Sequence, residues 1–186
     1  GIPVLPRGGG TSLAGQTVNE AVVLDLAAEM TDVVEVDVDA ETARAQAGVR
    51  LGDLDAELEP DGLKFAPDPA WGDKSVLGGA IGNNSTGAHS LQYGKTDYYI
   101  EEAEVVLADG TVTTFGEVDI ETLRTRGEAG DDLEAEIYGT VARILDRAAD
   151  GIAATYPDPK PHASGDHPDM PVPELRRPGR APGGAW

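Results

Sequence analysis

Three glycine-bearing segments carry the residue types best suited to chemistry. The first, Pro6-Arg7-Gly8-Gly9-Gly10-Thr11-Ser12, follows the short apolar run 2–5. Consecutive glycines let a backbone take positive φ and approach a ligand closely. Successive N–H groups can then converge on an anion, with the Thr11 and Ser12 hydroxyls as further donors. Neither common phosphate loop fits. Gly10 to Gly15 has the GxxxxG spacing of a Walker A loop, but Gln16-Thr17 stands where Lys-Ser/Thr must reach the phosphates. Gly8-x-Gly10 is followed by Leu13 where the dinucleotide fingerprint places its third glycine. Taken alone, the loop is either an anion cradle or a tight turn. Arg7 within it either neutralises an anion or pairs with one of the chain's many carboxylates.

The second segment is Ser75-Val76-Leu77-Gly78-Gly79-Ala80-Ile81-Gly82-Asn83-Asn84-Ser85-Thr86-Gly87. Ser75 is expected to cap a short helix whose positive end faces an anion, and Asn83, Asn84, Ser85 and Thr86 offer neutral donors and acceptors for a ring edge or sugar. The third, Ala66-Pro67-Asp68-Pro69, is a stiffened stretch just before it. Tyr93, next to Gly94, either stacks on a ligand ring or packs as an ordinary aromatic. The three histidines, His89, His162 and His167, have no i, i+3 or i, i+4 partner, so no metal site is expected.

The elements that must position these segments read as an α+β pattern. Strands are expected at 1–5, 21–26, 33–38 and 42–47, the last placing Ala43, Ala45 and Ala47 on one face. Leu51, Leu54 and Leu58 are at helical spacing, and Pro60-Asp61-Gly62 stops that helix. Asp109-Gly110 predicts a hairpin between strands at 104–107 and 111–115. Leu133, Ile137, Val141 and Leu145 form an i, i+4 stripe on a helix ending near Asp150.

Charge excludes whole classes of partner. The 186 residues hold 34 Asp and Glu against 14 Lys and Arg, a net charge of −20. Nucleic acids and anionic membrane surfaces are attracted by Lys and Arg that displace counterions, which this balance cannot supply. No run approaches the roughly 18 apolar residues of a membrane span, and there is no cysteine for a disulfide, a nucleophile or a metal. Dispersed acid with only four lysines suits high ionic strength, where self-repulsion is screened. A halophilic cytoplasm is the expected setting, with an ordinary acidic protein as the alternative. Residues 151–186 hold 8 of the 13 prolines and no net charge, and from about Tyr156 the chain cannot bury enough apolar surface to fold alone.

In their order along the chain, Pro6–Gly15, the Phe65–Ala70 stretch and Gly78–Gly110 resemble the FAD-binding, PCMH-type domain of the vanillyl-alcohol oxidase/p-cresol methylhydroxylase superfamily. Within it they look most like the D-lactate dehydrogenase and glycolate-oxidase-type branch. The resemblance implies two α/β subdomains with FAD extended between them. Carried over position by position, it implies cofactor contacts at Pro6, Arg7, Gly8, Gly9, Gly10, Thr11, Ser12, Gly15 and Gln16, then Pro67, Asp68 and Pro69. Gly78, Gly79, Gly82, Asn83, Asn84, Ser85, Gly87, Tyr93 and Gly94 complete the set. The implied activity is oxidation of a D-2-hydroxyacid such as D-lactate, by hydride transfer to the flavin.

The departures from the family pattern shape the remaining expectations. Flavinylated relatives carry a histidine in or near these loops, whereas Thr11 follows Gly10 here, so the implied FAD is noncovalent. Tyr156-Pro157 and Ser164-Gly165 match the next family landmark, but Asp166-His167-Pro168-Asp169 and the stretch 176–186 do not. The expected organisation is a FAD-binding domain over 1–118 lacking its first strand and helix, a helical connector over 119–155, and an irregular tail, disordered or frameshifted, over 156–186. The cap domain that binds substrate in the family has no counterpart, so no catalytic residue is assigned and the hydroxyacid is a partner only if a cap is supplied elsewhere. The alternative is a non-catalytic remnant that binds FAD weakly or not at all.

Overall fold

The structure, a computed structural model, describes residues 1–155. The expected tail, with His162, His167 and Tyr156-Pro157, lies outside them. The chain falls into two units, one spanning Gly1–Tyr99 and a second starting at Ile100.

The first unit is built from short elements. β1 (Val4–Arg7) pairs in parallel with β2 (Val22–Asp25), Pro6 opposite Leu24 and Arg7 opposite Asp25. β1 begins three residues later than the strand expected at 1–5, and its Arg7 end feeds directly into the glycine loop. Leu26 leaves β2 to begin a one-turn helix, α1 (Leu26–Glu29), whose first turn is capped by the Asp25 carboxylate accepting from Ala27 N. β3 (Val33–Asp37) and β4 (Thr42–Ala45) form an antiparallel pair with an irregularity between Val33 and Glu35. That irregularity breaks the expected alternation: Ala45 is half-buried but Ala43 is exposed.

The core of this unit gathers on α2 (Leu51–Leu58), where Leu51, Leu54 and Leu58 share one face and pack with Val49, Phe65 and Ala80. Burying side chains of this kind contributes about 1.5–3 kcal/mol each. Gly62, in the left-handed region at φ 72°, ends the 3₁₀ turn that follows. Chain 47–51 is then stitched to chain 75–78. Leu51 N donates to Ser75 O at 3.0 Å, Leu77 N to Val49 O at 2.9 Å and Gly78 N to Ala47 O at 2.8 Å. α3 (Leu77–Gly82) and the one-turn α4 (Ser90–Tyr93) follow.

The second unit opens with the expected hairpin, β5 (Glu102–Val106) against β6 (Val112–Gly116). Gly110 takes φ 89° at its turn, and the Asp109 carboxylate accepts from Thr111 N at 2.9 Å. α5 (Ile120–Glu128) and α6 (Leu133–Thr155) complete it. α6 runs five residues past the expected end at Asp150. Its buried face is also turned from the leucine stripe, with Ala135, Tyr138 and Ala142 inside while Val141 faces out. The face turns this way because α5 and α6 approach closely at Gly127 and Gly139. A Cβ on Gly127 would come within 2.5 Å of Gly139 Cα. Leu123, Phe115, Val118, Ile120 and Leu145 fill the rest of this core.

Candidate functional site

The Gly-Gly-Gly loop leaves β1 and is sealed against chain 74–76. A Cβ on Gly9 would overlap the Lys74 carbonyl oxygen, and one on Gly8 would overlap Val76 Cγ2. Gly10 takes φ 67°. The loop is therefore a wall with its backbone face pressed on another backbone, an approach open to glycine alone. Among the described residues, none of the five consecutive N–H groups from Gly8 to Ser12 donates a hydrogen bond within the chain.

Two side-chain bonds fasten this loop to the second glycine segment. Thr11 Oγ1 lies 3.2 Å from Ser75 Oγ, and Asn83 Nδ2 donates to Ser12 Oγ at 3.2 Å. The Ser75 hydroxyl itself donates to Ala70 O at 3.1 Å, so Thr11 is the donor of the first pair. This changes the role expected of Ser75. The residue before α3 is Val76, which caps nothing with its side chain, while Ser75 ties loops together. α3 also does not offer the open positive end expected of it. It has six residues, and the N–H groups of Leu77 and Gly78 are already spent on the carbonyls of Val49 and Ala47.

The third segment closes the arrangement from the other side. Pro69 bridges Gly87, and a Cβ on Gly87 would overlap Asp68 O. Ser90 Oγ accepts from Gly87 N at 2.8 Å and donates to Pro67 O at 3.3 Å. Asp68 and Asn84 hold φ 46° and 44°, uncommon for residues with a Cβ and a form of strain that surrounding contacts must hold in place. For Asn84 the contact is visible, since its Oδ1 accepts from Asp97 N at 3.1 Å. Beside it, Ser85 O accepts from both Thr96 N (3.3 Å) and Thr96 Oγ1 (2.8 Å). Thr96 is 1% exposed. This Asn84–Ser85 clamp on 96–97 was not expected from composition. Its only sequence signal is a threonine after Tyr93-Gly94-Lys95, because the acceptor is a backbone carbonyl.

Charge at the site is unlike the surface average. The Arg7 guanidinium lies against Gly10 and makes no ion pair among the described residues, which favours the first of its two readings. Lys74 sits 5.1 Å over the exposed Trp71 ring. His89 Nδ1 is 3.1 Å and Lys64 Nζ 3.6 Å from Asp68 Oδ2. Behind them, burial pushes the Asp55 carboxyl up, against the Phe65 N–H donated to it at 2.8 Å.

Pro6–Ser12, Pro67–Pro69, Gly78 and Asn83–Gly87 are thus linked in one unit by bonds or close contacts. The Tyr93 and His89 rings meet in a T-shaped contact, centroids 6.3 Å apart, and the Tyr93 carbonyl accepts from Tyr99 Oη at 2.6 Å. Gly94 packs against the Tyr98 ring. Gly15 and Gln16 stand apart on an exposed turn, and Gly79 and Gly82 are exposed, with open space around Gly82. Among the described residues no group of three His, Asp or Glu side chains is arranged to hold a metal ion, and no helix is long and apolar enough to cross a membrane.

A family model described as FAD binding domain matches residues 1–116. D-2-hydroxyglutarate dehydrogenase of Haemophilus influenzae is 40% identical over 111 residues, which are 60% of this chain and 11% of that one. D-lactate dehydrogenase of Archaeoglobus fulgidus is 39% identical over 115 residues, 62% of this chain and 26% of its own. The crystal structure of 6-hydroxy-D-nicotine oxidase from Arthrobacter nicotinovorans superposes with a TM-score of 0.55 at 28% identity, over 62% of this chain and 25% of that one. The chain thus spans between a tenth and about a quarter of the length of these relatives.

Proposed function

The chain belongs to the FAD binding domain family, so its cofactor is FAD, and on that premise we propose that Pro6–Ser12, Pro67–Pro69 and Gly78–Gly87, with Tyr93-Gly94, hold it noncovalently. The whole protein is read as a flavin-dependent oxidoreductase that oxidises a D-2-hydroxyacid, the class named in its D-2-hydroxyglutarate and D-lactate relatives. Bound FAD supplies a hydride acceptor at N5, the chemistry the protein need only position and tune.

One observation carries the reading: the five open N–H groups from Gly8 to Ser12, on a loop that packing holds in shape. Donors fixed before the ligand arrives bind an anion without paying to be ordered. A diphosphate fits them, and the Arg7 guanidinium beside Gly10 adds the compensating charge. Asn83 and Asn84 act mainly as braces, one holding Ser12 and the other Asp97. The absence of cysteine, with Thr11 at the loop's exit, leaves attachment to these contacts.

Isothermal titration tests the assignment. FAD is expected to bind at least roughly tenfold more tightly than FMN, about 1.4 kcal/mol, because FMN lacks the diphosphate. Equal affinities overturn it. Turnover further needs a base for the hydroxyl proton and a cation for the carboxylate, held near the substrate α-carbon. We place these outside residues 1–155. Mixing FAD-loaded chain with D-lactate or D-2-hydroxyglutarate in stopped flow should then give no flavin bleaching above buffer.

The acidic surface is read as an adaptation to a cytoplasm of high ionic strength. Self-repulsion from a net −20 is screened when the Debye length falls to about 3 Å at 1 M salt. The melting temperature is expected to rise between dilute buffer and molar KCl. No shift, or a fall, overturns the adaptation.

A further inference from the structure

Lys95 is 6% exposed, while every other described lysine and arginine lies at the surface. Its backbone is held on both sides. Gly94 N donates to Ser90 O at 2.9 Å, Thr96 is doubly bonded to Ser85 O, and Asp97 N is held by Asn84. These bonds fix the backbone on either side of Lys95, on its C-terminal side to the Asn84–Ser85 clamp. Among the described residues its ammonium makes no ion pair or hydrogen bond, although the chain carries 34 carboxylates that could have been placed beside it. A lysine with so little of its surface in water and no counter-charge beside it is unfavourable. A protein retains one where something else supplies the anion, and Lys95 sits on the chain that the proposed FAD loop, Asn83–Gly87, grips.

We infer that Lys95 is a buried cation poised for an anionic group of the bound dinucleotide. This rests on the FAD reading above. Two parts of FAD share the required chemistry, a delocalised negative charge: the diphosphate, and the N1–C2=O edge of the flavin ring once it gains electron density. Pairing with either converts the cost of the isolated ammonium into affinity for the cofactor, and in the second case into a bias toward reduced flavin.

The test compares wild type, Lys95→Met and Lys95→Arg in the whole chain. Without FAD, Lys95→Met is expected to melt at or above wild type, since an uncompensated charge is gone. With FAD its melting gain is expected to shrink and its Kd to weaken tenfold or more, while Lys95→Arg keeps most of both. ADP and sulfite separate the two sources. Sulfite donates its sulfur lone pair to flavin N5, forming an N–S bond and leaving the negative charge at N1–C2=O. If Lys95 serves the diphosphate, Lys95→Met weakens ADP as much as FAD and leaves sulfite affinity unchanged. If it serves the ring, ADP is unaffected and sulfite affinity of the FAD-loaded variant falls tenfold or more. Wild type that binds FAD beside a Lys95→Met chain with unchanged FAD and sulfite affinities overturns this inference alone. Wild type that fails to bind FAD overturns the FAD reading as well. A Lys95→Met chain that melts well below wild type without FAD reveals a structural partner for the ammonium and also overturns the inference.

Discussion

Glycine brings backbone onto backbone in both units, with opposite results. At Gly9 and Gly87 a loop presses on the carbonyls of Lys74 and Asp68, yet the N–H groups that follow Gly9 stay unspent. At Gly127 and Gly139 two helices approach so closely that a Cβ on Gly127 would overlap the Gly139 backbone, and helical N–H groups are consumed inside the helices that carry them. Close approach in the second unit therefore serves packing alone. In the first it serves packing and leaves a row of donors for a ligand, so what separates a packing contact from a binding wall is the accounting of hydrogen bonds.

That contrast is broken most severely at Gly9. Gly9→Val drives a branched side chain into the Lys74 carbonyl, and FAD affinity is expected to fall by roughly a hundredfold, about 2.8 kcal/mol. Retained flavin absorbance after gel filtration makes the loop a mere turn. Next is Gly127→Ala. Overpacking costs about 1–3 kcal/mol, offset by up to about 1 kcal/mol of helix propensity. Urea melts followed by circular dichroism should show the loss while the FAD Kd stays within twofold. A parallel loss of FAD affinity erases the distinction between the two kinds of contact.

The smallest effect sharpens the contrast by sign. In the second unit Thr122, through its N–H and then its hydroxyl, holds the Asp119 carboxyl below the usual range. The stability it contributes is present above about pH 4 and is lost as pH falls through the lowered pKa. In the first unit burial raises Asp55, so its contribution is present below about pH 4 and is lost as pH rises through the raised pKa. Thermal melts between pH 3 and 7 should find that Asp119→Asn flattens the acid-side fall in stability and Asp55→Asn steepens it. The same direction for both contradicts the assignment.

What the sequence made legible followed physical type. The Gly8–Gly10 loop, the Asp109-Gly110 turn and the leucines of α2 stand out because side-chain absence and strict spacing are visible in one dimension. Elements held by backbone partners were not. Ser75 looked like a helix cap because its competing acceptor, Ala70 O, is a backbone carbonyl that no residue type reveals. The clamp on Thr96 has the same origin. On α6 the buried face is turned from the leucine stripe to Ala135, Tyr138 and Ala142, because the distance to α5 belongs to the pair of helices and not to either sequence. Lys95 gave no signal, since burial of one long side chain depends on everything packed around it.

The bonds that join the glycine loop to its neighbours also carry a kinetic meaning. Thr11 meets Ser75 across 64 positions of chain and Ser12 meets Asn83 across 71. Contacts this distant close large loops whose entropy must be spent before the bonds repay it, which places them late in folding. The hairpin at Gly110 and the α5–α6 pair need no such closures and can form first. The proposed FAD wall would then be complete only in the last stage of assembly, so in refolding from urea the quenching of flavin fluorescence is expected to lag the recovery of helix signal.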